Sequence, residues 1–302
     1  MYDRNLKNKL LLVSIILAGI LFQGCKTTRS ITKDVFAPEA PDDSTFIVAH
    51  DVVFPESECN YKYIFFRLYN PIYKNPLYIA NILKGGINTT RMNNDPEVSH
   101  ASINFSLDDN YYGLTMVGEH QLSPEECVIP ESNDYMKKCD PEKSEQITYA
   151  LKVTEEEYEK TKEFVQTYVE RDEIKYATGL NFKIALFSIK RKFFTPKQKQ
   201  EFGSLIYPND GNNKKVNLHK DKKIKNDFVC STFIGYVLYN NVESVSSFFD
   251  ENNIKYEYLN VADIGQIPGI VPIFYSNWDN YLEAARAFVE EYPEFKEYLS
   301  DE

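Results

Sequence analysis

The stretch Asn226 to Leu238, NDFVCSTFIGYVL, decides how the rest of the chain is read. Asn226 or Asp227 offers a side-chain oxygen to cap a helix, and an almost unbroken apolar run follows. The pattern predicts a helix with Cys230 in its first turn. Orphan backbone N–H groups and the positive end of the macrodipole favour a thiolate there, so the sulfur is expected to be a nucleophile near neutral pH. The same stretch also reads as plain core. Val229, Phe233 and Val237 make one helical stripe, Cys230, Ile234 and Leu238 the next, and free cysteine is among the most buried residue types.

Composition narrows the field. The chain has 302 residues and is 43% hydrophobic, enough for one large or two small cores. A net charge of -11 argues against nucleic acid as a partner, because phosphate recognition needs a basic face. No His pair stands at i, i+4 and no CxxC occurs, so no metal is expected. A Gly-rich phosphate loop is missing too, and no cofactor is expected.

The N-terminus reads as an export signal over residues 1–24. Arg4, Lys7 and Lys9 precede an apolar core of 13 residues, Leu10 to Phe22. That is short of the ~20 residues needed to span a bilayer as a permanent helix. LFQGC then looks like a bacterial lipobox, with Cys25 as the lipidated residue and a bulky Phe22 where lipoproteins usually carry a small one. Ordinary secretion or an uncleaved anchor are the alternatives, and all three put the domain outside the cytoplasm. Residues 25–44 read as a polar tether, and 45–302 as one domain. Of the remaining cysteines, Cys127 and Cys139 flank a turn-rich segment and could pair.

Along the domain, Thr45 to Phe54 reads as a strand, and the aromatic run Tyr61 to Leu83, broken at Pro71 and Pro76, as short helices. VSHASINF (98–105) and YYGLTMVGEH (111–120) flank an Asp-Asp-Asn tip, which signals a hairpin with His100 in its first strand. A lone strand histidine is ordinarily half-buried structure. Ile147, Tyr149, Leu151 and Val153 alternate as a strand. Thr154 and Glu157 then form a capping box for a helix to about Asp172. Tyr176 to Ile189 reads as a further helix. Residues 190–225 hold 11 Lys or Arg against 3 acidic residues, a basic insertion that is either a solvated loop or a patch for anions or lipid headgroups. Val261 to Phe274, with Pro268 and Pro272, reads as an ordered loop or edge strand, and Tyr281 to Val289 as a terminal amphipathic helix.

All four histidines, His50, His100, His120 and His219, precede Cys230, so a Cys-His pair here runs in the reverse of papain order. With Ser99-His100-Ala101-Ser102-Ile103 on a strand and Phe228-Val229-Cys230-Ser231-Thr232-Phe233-Ile234 opening a helix, the chain resembles the circularly permuted papain-like cysteine hydrolases of the NlpC type, in particular the YiiX/YebB-like branch. The likeness spans roughly residues 45–270. It implies an α+β fold in which an antiparallel sheet or half-barrel packs against helices, with Cys230 as nucleophile and His100 as base. The third polar residue of such sites usually lies on the following strand, where Glu119 is the first candidate and His120 the alternative; Tyr112 and Thr115 stay open. The resemblance implies acyl transfer through a thioester at an amide or ester bond, on a peptide, glycopeptide or acyl substrate. A cell-wall peptide amidase or endopeptidase in the bacterial envelope is one form of it. Two rivals stand beside it: Cys59 as nucleophile in ordinary papain order ahead of an aromatic helix, and a lipid-anchored binding module that keeps the fold without the chemistry.

Overall fold

The computed structural model describes residues 31, 35–36, 46–72, 74, 96–108, 111–113, 139–169, 175–176, 180, 184, 227–252 and 254–300. Its strands are β1 (Phe46–Val48), β2 (Tyr61–Asn70), β3 (His100–Asn104), β4 (Tyr112–Gly113), β5 (Glu145–Thr154), β6 (Lys175–Tyr176), β7 (Asp227–Phe228) and β8 (Ile270–Asn277). Six of them form an antiparallel sheet in the order β1-β8-β5-β2-β3-β4. The two-residue strands β6 and β7 pair in parallel outside it. The helices are α1 (Glu155–Val169), α2 (Cys230–Asn241), α3 (Glu243–Glu251), α4 (Val261–Ile264) and α5 (Tyr281–Glu291), with 3-10 turns at Tyr256–Tyr258 and Pro293–Tyr298. The chain is thus α+β with an antiparallel sheet and helices.

Two expectations are corrected here. The run from Tyr61 is not helical: YKYIFFRLYN is the central strand β2, paired along its length with β5 and over half of it with β3. Both faces of β2 are covered, so the period-2 alternation that identifies a half-exposed strand is absent. The segment with Pro272 is neither loop nor edge. It is β8, between β1 and β5, and Pro272 sits opposite Tyr149 where the register slips beside Thr148, a break in the ladder that tolerates a missing N–H. The first strand is shorter than expected, Phe46–Val48. The predicted hairpin, the alternating strand, the helix behind the capping box and the terminal helix are all present, as β3–β4, β5, α1 and α5. Most of the helix expected at Tyr176 to Ile189, the insertion at 190–225, and residues 1–30 fall outside the described residues.

Cross-strand pairing sorts the side chains onto two faces. Tyr63, Phe65, Arg67 and Tyr69 share one face with His100, Ser102, Gln146, Thr148 and Phe274. The C-terminal elements cover it, with the Phe295 ring 4.3 Å from Tyr63 and Phe274 packed on Tyr281 and Phe288 at 5.6 and 5.8 Å. Ile64, Phe66, Leu68, Ala101, Ile103, Ile147, Tyr149 and Leu151 share the other face. There the Tyr149 ring lies against Gly265, just after α4, at a distance that leaves no room for a Cβ. Helix α2 packs on α4, on α1 and on β3. Its Gly235 is pressed against Leu259 and the Cβ of Tyr256, so a side chain at that position would drive the two segments apart.

Candidate active site

Cys230 is the first residue of α2, but the cap is not the one its sequence suggests. Asp227 belongs to β7, the cap position is Val229, and a valine side chain accepts no hydrogen bond. Thr232 does the work from inside the helix: its Oγ1 accepts from the Val229 N–H at 3.0 Å and donates to the Val229 carbonyl at 3.1 Å. Ser231 anchors the same turn by donating to the Leu259 carbonyl at 2.7 Å. The helix start is therefore held rigidly, and Cys230 with it is 5% exposed.

The sulfur is faced by the backbone N–H groups of Ala101, Ser231 and Cys230 itself, each of which favours its anionic form. Burial outweighs them and pushes the thiol up to about 11. The expectation of a resting nucleophile near neutral pH is thereby corrected: the helix start supplies the donors, yet the site is too dry for a thiolate to persist. His100 opens β3, is 6% exposed, and is pushed down to about 3 by burial alone. Its imidazole meets the Tyr69 ring edge-on at 4.8 Å, and Tyr69 in turn packs on Trp278 at 5.1 Å.

The fold thus brings the two sequence motifs together through the residue after the histidine, since Ala101 N–H points at the Cys230 sulfur. Strand alternation sets the two side chains apart: His100 leaves β3 on the face of Tyr69 and the C-terminal elements, whereas Ala101 faces the layer that holds α2. Of the candidates for a third residue, Glu119, His120 and Thr115 lie outside the described residues. Tyr112 pairs with Ile103 on β4, on the α2 face. Cys25, Cys127 and His219 also lie outside them, so neither lipidation nor a Cys127–Cys139 bridge enters the described structure. Cys59 is exposed and precedes strand β2, so the helix that its rival role required is not there. His50 is a surface residue, with Nδ1 3.4 Å from Glu291.

A pocket of about 400 Å³ opens at the far end of α2, lined by Glu157, Lys160, Asn240 and Glu243 among others. It is a helix length from Cys230, ~16–18 Å at 1.5 Å per residue, and has no share in the thiol's chemistry. Among the described residues no three His, Cys, Asp or Glu side chains are placed to hold a metal ion, and no helix is long and apolar enough to cross a membrane. What sequence reasoning missed at this site is the Ala101 amide, the Thr232 cap and the aromatic wall of Tyr69 and Trp278. The cap had a legible signal in a threonine two residues after the cysteine. The others depend on strand register. Compared with protein-family models, curated proteins and solved structures, the chain matches none of them.

Proposed function

We propose that the protein is a cysteine hydrolase or acyltransferase of the permuted papain-like kind, acting at an amide or ester bond and held at the bacterial cell envelope by lipid on Cys25. The observation that carries this reading is the Cys230 sulfur facing three backbone N–H groups, one of them on the residue next to His100. Donors arranged in this way suit the oxyanion of a tetrahedral intermediate as well as a sulfur anion. The chemistry requires the His100 side chain, set apart from the sulfur at rest, to swing within hydrogen-bond reach; in the first half-reaction the sulfur then attacks the carbonyl carbon while its proton passes to that imidazole. The imidazole hands that proton to the leaving amine or alcohol as the C–N or C–O bond breaks and a thioester remains. Water, giving its proton to the same imidazole, then releases the acid; an acceptor nucleophile in place of water makes the reaction a transfer. Thiol and imidazole both rest neutral, so the proton moves with the attack rather than before it. Glu119, or His120, is the proposed group that orients the imidazole. The substrate classes are peptides, glycopeptides and acyl chains.

A second reading, a lipid-anchored binding module without chemistry, is favoured by the burial of both side chains and by His100 leaving β3 on the Tyr69 face, away from the layer that holds Cys230. One experiment separates the two. In a Cys59→Ser background, which removes the thiol exposed among the described residues, an activated ester or amide is offered to the full chain and the modified residue is located by peptide mass mapping. The hydrolase reading expects an acyl adduct on Cys230, absent in Cys230→Ser and formed roughly 100-fold more slowly in His100→Ala. Adduct formation indifferent to both substitutions leaves only the binding module.

A further inference from the structure

Arg67 lies in the middle of the central strand and is 1% exposed. Its guanidinium is sandwiched between two tyrosine rings, 4.1 Å from the centroid of Tyr111 and 3.8 Å from that of Tyr281. The two hydroxyls are joined to each other at 2.8 Å, closing the sandwich. Aromatic faces attract a cation but do not neutralise it, and arginine keeps its proton in any protein environment. Asp108 acts on the two tyrosines through its field, while its Oδ1 accepts from Asn104 Nδ2 at 3.1 Å. No ion pair joins Arg67 to an acid among the described residues. A buried charge in that state is strongly unfavourable unless something pairs with it.

The donors left over are not scattered. Nε and Nη2 of Arg67 are both buried without a hydrogen-bond partner among the described residues. These two N–H groups point from one edge of the guanidinium, the side-on fork that grips two oxygens of a carboxylate. The cross-strand neighbours on either side, Ser102 on β3 and Thr148 on β5, stand in the same row on the same face. Both are 0% exposed, and Ser102 Oγ and Thr148 Oγ1 are likewise buried without a partner among the described residues. One row across the sheet therefore carries a two-donor fork and two hydroxyls, all buried and without a hydrogen-bond partner among the described residues. Buried polar groups of this kind are otherwise satisfied almost without exception.

We propose that the Nε–Nη2 edge of Arg67, with Ser102 and Thr148, is a buried binding site for a monocarboxylate. The charge of the fork sets the class: a monoanion matches it one for one, whereas a phosphate or sulfate dianion adds excess negative charge in the same dry surroundings, where the field of Asp108 already reaches both tyrosines. The planar fork selects a carboxylate over a spherical chloride. The carboxylate is either that of a free small acid or the terminal one of a peptide, and the site needs no catalytic role for Cys230.

The test uses the full chain with acetate as probe. Melting temperature is followed against sodium acetate and, at matched ionic strength, sodium chloride. Wild type is expected to show a saturable rise with acetate that chloride does not reproduce. Arg67→Met, which removes both charge and fork at similar length, is expected to fold and to lose that response. A readout that needs no variant is the arginine ¹⁵Nε spectrum of the wild-type chain, in which one solvent-protected resonance should shift saturably with acetate. Short peptides with free or amidated C-termini distinguish the sources: a shift with the free form alone assigns a chain terminus, and a shift with acetate but with neither peptide assigns a small acid. Equal effects of acetate and chloride, or an unmoved ¹⁵Nε spectrum, overturn the proposal.

Discussion

Burial displaces the pKa values of His100 and Cys230 in opposite directions, and each residue makes stability depend on pH in a definite sense. His100 is pushed from 6.5 down to about 3 in the folded chain, so the unfolded chain takes up a proton first as pH falls. Its contribution is fully present above pH 6.5 and is lost as pH drops through the window to about 3. Each tenfold change in proton affinity is worth ~1.4 kcal/mol, so the loss is on the order of a few kcal/mol. Cys230, raised from 9.0 to about 11, acts on the other limb: its contribution is complete below pH 9 and disappears as pH rises through about 11. Urea midpoints measured at pH 7, 5 and 4 should fall less steeply for His100→Gln than for wild type. Parallel curves would mean that the imidazole is hydrated and not buried. At this scale the sequence was half legible. That the segments carrying Cys230 and His100 meet was readable from two short motifs. Which face each side chain takes was not, because a one-residue difference in strand register exchanges the faces and no local residue preference fixes it. The capping residue eludes sequence for a related reason: Asn226 and Asp227 are good caps in isolation, and the short strand Asp227–Phe228 instead carries the chain past them to Val229.

At the scale of elements, the capping box that is plain in the sequence joins more than its own helix. Thr154 N–H donates to Glu157 Oε2 at 3.0 Å and Glu157 N–H to Thr154 Oγ1 at 3.2 Å, closing the start of α1. Glu157 Oε1 meanwhile accepts from the N–H of Glu243 at 2.8 Å, the first residue of α3, whose own cap position is a valine with no oxygen to offer. One carboxylate thus caps two helices 86 residues apart in sequence. Thr154→Ala is expected to cost ~1 kcal/mol, the usual value of a lost cap. Glu157→Ala should cost about twice that, since it uncaps α3 as well. Chemical denaturation of the two variants checks the ratio; equal costs would mean that the bond to Glu243 contributes nothing. The sequence motif S/T-x-x-E announces the local half of this arrangement, while the long-range half depends on how α1 and α3 meet and has no signature. Strand β2 teaches the same lesson from the opposite side: YKYIFFRLYN pairs on both edges and is covered on both faces, so the polar alternation that marks a strand is removed by burial itself.

For the whole molecule, the sheet is closed from both sides, and the C-terminal elements are as much a part of the core as the helix of Cys230. Phe295 is the residue on which that cover turns. It is 0% exposed, and its ring lies 4.3 Å from Tyr63, 4.8 Å from Phe288, 5.8 Å from Phe54 and 6.2 Å from Phe65. Three residues on, Tyr298 accepts the Tyr63 N–H at 3.1 Å with its hydroxyl and the Leu107 N–H with its carbonyl, tying the last turn to the start of β2 and to the loop after β3. Phe295→Ala removes a ring from a packed cluster and should cost ~3–5 kcal/mol, the range for a large buried aromatic. Among the described residues the rings of α2 pack on Tyr168, Phe228, Phe249 and Tyr256 and on none of the rings around Phe295, which makes the cooperativity of the fold measurable. If the sheet joins both layers into one unit, denaturant should expose the Cys230 thiol to alkylation at the same midpoint at which circular dichroism is lost, and the variant should lower both midpoints together. A variant in which far-UV signal falls early while Cys230 stays protected would show the C-terminal cover to be a separate unit. His100, on the covered side of β3, would then be the member of the candidate pair that the cover controls.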